Sequence, residues 1–93
     1  MDTPTEFEWD DVKAAENFAK HHVSFWFARY VFSDPQRVII DTVRPEDGED
    51  RYKAVGRIKE RLYAVVFVMR GEVCRLISAR RTNAKEDRVY GNR

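Results

Sequence analysis

Residues 75–81 read RLISARR: Arg75, Arg80 and Arg81 crowd a stretch whose Leu76 and Ile77 otherwise mark a half-buried strand, with Ser78 between them. So many guanidinium groups imply an anionic partner, because the planar fork donates two hydrogen bonds to a phosphate and stays protonated at any relevant pH. The chemistry this suits is phosphate-centred. Reaction at a phosphate in an RNA backbone needs one group to take a proton, another to give one, and cations to steady the phosphoryl oxygens.

Strand alternation places Val73, Arg75, Ile77 and Ala79 on one face and Cys74, Leu76, Ser78 and Arg80 on the other. Arg75 and Arg80 therefore meet one phosphate only if a bulge or the strand's end intervenes; Arg80 with Ser78 is the functional pair, and Arg75 is an RNA contact or one half of an ion pair. A second basic line, Arg51, Lys53, Arg57 and Lys59, falls on one side of its own strand and reads either as a phosphate track or as a solvated face. Arg81 and Arg88 join these as candidate RNA contacts. For proton transfer the candidates are Lys20 and His21, since an unperturbed histidine titrates at about pH 6.5; cations at a helix end also stabilise its dipole, which would account for them equally. Glu86 and Tyr90 complete the set as base and as acid or base-stacking group, or else merely as an i,i+4 helix pair.

The elements that must carry these residues follow from spacing. Phe7 and Trp9 alternate with acids in a brief strand, and Asp10-Asp11 starts a helix through DDVKAAENFAKHH, where Val12, Ala15, Phe18 and Ala19 make one apolar stripe. Ser24 N-caps a second helix, FWFARYVF, which Asp34-Pro35 ends. Strands are expected over 37–43, 51–59, 62–69 and 73–79, with RPEDGED and Arg70-Gly71-Glu72 as turns and the 62–69 strand central and covered on both faces. The tail TNAKEDRVY reads as a short helix. The predicted fold is α+β: two N-terminal helices packed on a mostly antiparallel sheet, with a short C-terminal helix.

At 93 residues, 43% of them hydrophobic, the chain suits a single domain over 1–93 with one core. Its net charge of +1 hides a division: residues 1–50 carry 5 basic and 12 acidic side chains, net −7, whereas residues 51–93 carry 12 and 4, net +8. Positive potential gathered in one half suggests a polyanion-facing surface. The lone Cys74 suits a reducing, cytoplasmic location. An acidic N-terminus and a longest apolar run of 62–69 exclude export and membrane readings. Neither zinc spacing nor a glycine-rich phosphate loop is present, so no metal or cofactor is expected.

Taken in order, FEWD at 7–10, Asn17, Lys20-His21, VSF at 23–25, Asp34-Pro35, ISAR at 77–80, Glu86 and Tyr90 resemble the BrnT family, toxins of type II toxin–antitoxin pairs. The resemblance spans about residues 7–90. It implies a RelE-like fold, metal-independent RNA cleavage that inhibits growth, and neutralisation by a BrnA-like antitoxin through which alone DNA is contacted. Two departures stand out. His22 occupies the place of the family's usual glycine after Lys-His, so a histidine must make the left-handed helix stop. Trp26 and Phe27 stand where relatives are often acidic or polar; such an aromatic pair has either joined the core or become a partner interface, and the second is expected. The rival reading is a non-catalytic RNA- or antitoxin-binding module of the same fold. An open basic cleft beside the arginines is what the nuclease reading requires.

Overall fold

The computed structural model describes residues 3–42 and 50–92. In chain order it contains β1 (Glu6–Glu8), α1 (Asp11–His21), α2 (Phe25–Ala28) running into a 3₁₀ turn (Arg29–Ser33), β2 (Val38–Asp41), β3 (Tyr52–Ile58), β4 (Arg61–Arg70), β5 (Val73–Arg81) and α3 (Ala84–Gly91). The described residues therefore form a mixed α+β domain with a five-stranded sheet and three α-helices. Strand order is β1-β5-β4-β3-β2, with β1 parallel to β5 and every other pair antiparallel. As the apolar run implied, β4 is central. The turn expected at RPEDGED lies outside the described residues except for Asp50. Among the described residues no helix is long and apolar enough to cross a membrane.

Local chemistry explains the helix limits. Asp10 Oδ1 accepts from the N–H groups of Val12 and Lys13 at 2.9 and 3.0 Å, opening α1. His22 closes it with φ 59°, its N–H donating to Phe18 O at 2.8 Å, so histidine makes the left-handed stop itself. Ser24 caps α2 as expected, its Oγ accepting from Phe27 N at 3.0 Å. The second helix is shorter than FWFARYVF suggested: after Ala28 it tightens into 3₁₀ geometry, in a run of aromatic and β-branched residues that resist a further α-turn.

One face of the sheet carries the main core, in which Phe25, Ala28, Val31 and Phe32 pack on Ala54, Val65, Phe67, Cys74, Leu76 and Ala79. Phe32 meets Phe67 edge-on at 5.0 Å. Gly56 allows the 3₁₀ turn to approach this closely, since a Cβ there would stand 2.9 Å from Val31 Cγ1. The Cys74 thiol is fully buried here, and burial pushes its pKa up to about 12. A smaller cluster on the opposite face packs Val55 and Ala64 beneath Tyr90 of α3.

Two sequence expectations are corrected. The apolar stripe of α1 faces solvent: Val12 is 68% and Phe18 52% exposed, while the buried residue is Asn17. Its inward face is set by hydrogen bonding rather than hydrophobicity. Second, β5 does not alternate unbroken. Phe67 of β4 pairs with Leu76 but Val66 pairs with Ser78, leaving Ile77 as an extra residue. This bulge turns Cys74, Leu76 and Ala79 all toward the main core and brings Arg75, Ser78 and Arg80 onto the opposite face together.

Candidate active site

The bulge in β5 organises the site. On the face that Ser78 and Arg80 share, Lys53 and Ser78 flank Val66 on its two sides. Arg80 reaches Glu86 at the start of α3 through two parallel hydrogen bonds, Nη1 to Oε1 and Nη2 to Oε2, each 2.8 Å. Lys53 Nζ closes on the same Oε2 at 2.7 Å. A capping box adds the last contact, the Asn83 N–H donating to Glu86 Oε1 at 3.0 Å while Asn83 Oδ1 accepts from Glu86 N at 2.9 Å.

Glu86 is only 2% exposed. Burial alone would raise its pKa, but the hydrogen bonds from Arg80 and Lys53 outweigh that and bring it from 4.5 to about 2. In return, the bond to Glu86 raises the pKa of Arg80. A carboxylate held so firmly ionised is a poor proton carrier at neutral pH; it fixes the positions of two cations.

Beside this triad lies an open cleft of about 370 Å³, lined by Thr42, Arg51, Lys53, Ile77, Ser78 and Arg80 among others. Across the bulge a second hollow of about 310 Å³ is lined by Lys13, Glu16, Asn17, Lys20 and His21 and shares Ile77 and Ser78 with the first. Residues separated by some sixty positions, Lys20 and His21 on one side and Ser78 and Arg80 on the other, are thus brought to the two flanks of one irregularity. Asn17 joins the flanks. Its Nδ2 donates to Ala79 O at 2.8 Å and to Val23 O at 3.0 Å, while its Oδ1 accepts from Ala79 N at 3.0 Å. The amide stands in for a strand, because β1 pairs only with Val73, Cys74 and Arg75. In sequence Asn17 stood out as a weak helix former in mid-helix and as one of the residues shared with the BrnT pattern; its reach to β5 had no signal.

Other sequence-predicted residues lie apart. Arg75 shares the Arg80 face but sits opposite Val68, four positions along β4 from Ala64, the partner of Arg80, or about 13 Å at the usual strand rise. It pairs with Glu8 at 2.9 Å. Arg81 is exposed at the end of β5, and its carbonyl accepts from Arg80 Nη1 at 3.1 Å. Arg57 and Lys59 stand at the far end of β3 from Lys53, and α3 crosses the face between them: Glu86 takes Lys53, and the Arg57 guanidinium stands 5.7 Å over the Tyr90 ring. The basic stripe is therefore no continuous track. Tyr90 is buried, its hydroxyl donating to Asp34 Oδ2 at 2.7 Å, and Arg88 is exposed on α3. Trp26 is exposed beneath Arg29 at 3.6 Å, and Phe27 packs edge-on against Tyr63 at 5.3 Å. Among the described residues no group of three histidine, cysteine or acidic side chains is placed to hold a metal ion.

Fold and cleft together define a small α+β domain with fixed cations around an anion-sized hollow. Sequence comparison supplies the family: the profile of the ribonuclease toxin BrnT, of type II toxin–antitoxin systems, matches residues 9–86, and the chain belongs to that family. Membership brings with it an RNA substrate and an antitoxin partner. No curated protein matches the chain.

Proposed function

We propose that this chain is a metal-independent endoribonuclease toxin of RelE-like fold, acting in the cytoplasm, that cuts RNA in the cleft at the β5 bulge until a BrnA-like antitoxin binds it. In this reading the scissile phosphate sits against Arg80, Lys53 and Arg51, with Ser78 donating a hydrogen bond from the bulge. The 2′-oxygen bonds to phosphorus as the bond to the 5′-oxygen breaks, leaving a 2′,3′-cyclic phosphate and a 5′-hydroxyl. Lys20 and His21, across the bulge, are the groups to take the 2′-proton and supply the leaving one. Glu86 acts as a positioning residue that holds Arg80 and Lys53 at fixed spacing, so their charge is already aimed when negative charge develops on the phosphoryl oxygens. Tyr90 serves the packing of α3. The convergence of Arg51, Lys53, Ser78 and Arg80 in one open cleft, with Lys20 and His21 on its other flank, carries the reading.

One observation favours the non-catalytic alternative, an RNA- or antitoxin-binding module: both terminal nitrogens of Arg80 are engaged by Glu86. The side chain nevertheless stays 34% exposed beside the cleft. Purified protein incubated with RNA in EDTA separates the two. Cleavage leaving 2′,3′-cyclic ends, lowered about 100-fold or more in a folded Arg80→Ala protein, is the expected result. Intact RNA that shifts in a gel would establish the binder, and an Arg80→Ala protein cutting at full rate would remove Arg80 from the site.

A further inference from the structure

The described structure also holds a hollow larger than the cleft. It lies where the 3₁₀ turn passes the tip of the β3–β4 hairpin, a cavity of about 670 Å³ walled by Phe27, Tyr30, Pro35 and Ile58, with Arg57 and Lys59 at its rim. A smaller hollow of about 280 Å³ shares Phe27, Ile58 and Lys59 and extends the groove along the hairpin to Arg61 and Tyr63. The floor is therefore aromatic and aliphatic; three exposed cations, Arg57, Lys59 and Arg61, and one exposed carboxylate, Glu60, edge it, while Asp34 in its wall already accepts from Gln36 N, Arg57 N and the Tyr90 hydroxyl. Lys59 and Arg61 make no ion pair among the described residues. Lys59 holds φ 58° in a two-residue turn, a conformation glycine adopts without the steric cost a lysine bears, so a charge is kept at the tip where a cheaper residue would turn the chain. Tyr30 continues the apolar surface outward: it is 51% exposed, and the Arg29 guanidinium lies 5.2 Å over its ring and 3.6 Å over that of Trp26.

This chemistry differs from that of a nucleic-acid track. Ile58 and Pro35 interrupt the aromatic surface on which successive bases would stack, and a hollow of about 670 Å³ has room for a bulky side chain and its neighbours. An apolar floor edged by three cations against one exposed carboxylate is net positive, and complements a peptide that carries apolar residues on one side and carboxylates beside them. We propose that this groove docks an acidic amphipathic segment of the antitoxin, seating its apolar side chains among Phe27, Tyr30, Pro35 and Ile58 and its carboxylates on Arg57, Lys59 and Arg61. The proposal rests on the toxin–antitoxin reading and deepens it: the primary anchor lies at the far end of α3 from the catalytic cleft, so recognition of the partner is separate from blockade of the cleft.

Replacement of Phe27 would damage the core, so the test uses two exposed residues outside the cleft, Tyr30→Ala combined with Arg61→Glu. The partner probe is the small protein encoded by the reading frame adjacent to this chain's gene, titrated against the full chain by calorimetry at two salt concentrations; RNA cleavage by the free chain is assayed separately. Affinity should fall about 30-fold or more, and its salt dependence should flatten, while cleavage is unchanged. An affinity within threefold of the original chain, or no binding of that protein by the original chain, overturns the proposal. Loss of RNA cleavage or RNA binding with partner affinity intact would reassign the groove to RNA and also overturns it. A parent chain that binds the partner but leaves RNA uncut would refute the nuclease reading alone.

Discussion

The two ends of α3 hold their cations in opposite ways. Near its first turn, Arg80 and Lys53 are both tied to one buried carboxylate, Glu86, and the cleft beside them is small and polar. Near its last turn, Tyr90 is tied to Asp34, while Arg57, Lys59 and Arg61 ring a wide apolar groove without such a clamp. Held charges suit stabilisation of a transition state, because no reorganisation is needed as negative charge develops. Loose charges suit recognition of a partner, where long flexible side chains adjust to carboxylates and hasten encounter. One short helix thus spans two kinds of electrostatics, and the contrast can be broken from either end.

The largest effect is expected at Glu86. Glu86→Ala leaves Arg80 and Lys53 side by side with no counter-charge and should cost about 3 kcal/mol in urea unfolding at pH 7. The same carboxyl contributes to the acid limb of stability. Because its pKa is depressed from 4.5 to about 2, its contribution is fully present above the unfolded value and drains away as pH falls through 4.5 toward 2. Glu86→Gln should therefore show a flatter unfolding profile through that window than the parent; matching profiles would mean that the triad does not hold the cations.

Next in size comes Asn17, which leaves two carbonyls and one N–H unsatisfied when removed. Asn17→Ala should lower stability by about 2 kcal/mol and slow RNA cleavage, as Lys20 and His21 lose their fixed relation to Ser78. Thermal unfolding with single-turnover assays would check both, and an unchanged rate would show that α1 takes no part in the cleft. The smallest change is Tyr90→Phe, which deletes one hydrogen bond to Asp34 at the groove end and should cost about 1 kcal/mol by chemical unfolding. A loss as large as that of Glu86→Ala would erase the distinction between the two ends.

Much of the element order was legible from punctuation: Asp10, Ser24, Asp34-Pro35 and Gly71 each mark a start or stop by local chemistry that one residue can announce. Orientation was harder. The apolar stripe of Val12, Ala15, Phe18 and Ala19 suggests an inward face, yet Asn17 turns the other way, because its three hydrogen bonds to distant backbone outrank a few methyl groups. The bulge had no mark at all, since Ile77 is an ordinary strand residue whose exclusion from pairing depends on the register with Val66. Arg80, Ser78, Lys20 and His21 were each legible as reactive types. The pairing of Arg80 with Ser78 was legible too, but not the approach of Lys20 and His21 to them, which depends on contacts spanning up to 62 positions.

The parallel pairing of β1 with β5 has a bearing on synthesis. Glu6, Phe7 and Glu8 lie along Val73, Cys74 and Arg75, so β1 gains its neighbour only after the intervening helices and strands have been translated. Asp34 likewise gains the Tyr90 hydroxyl only at the last helix. A nascent polypeptide that has not yet reached Ser78, Arg80 and Glu86 therefore holds no assembled cleft.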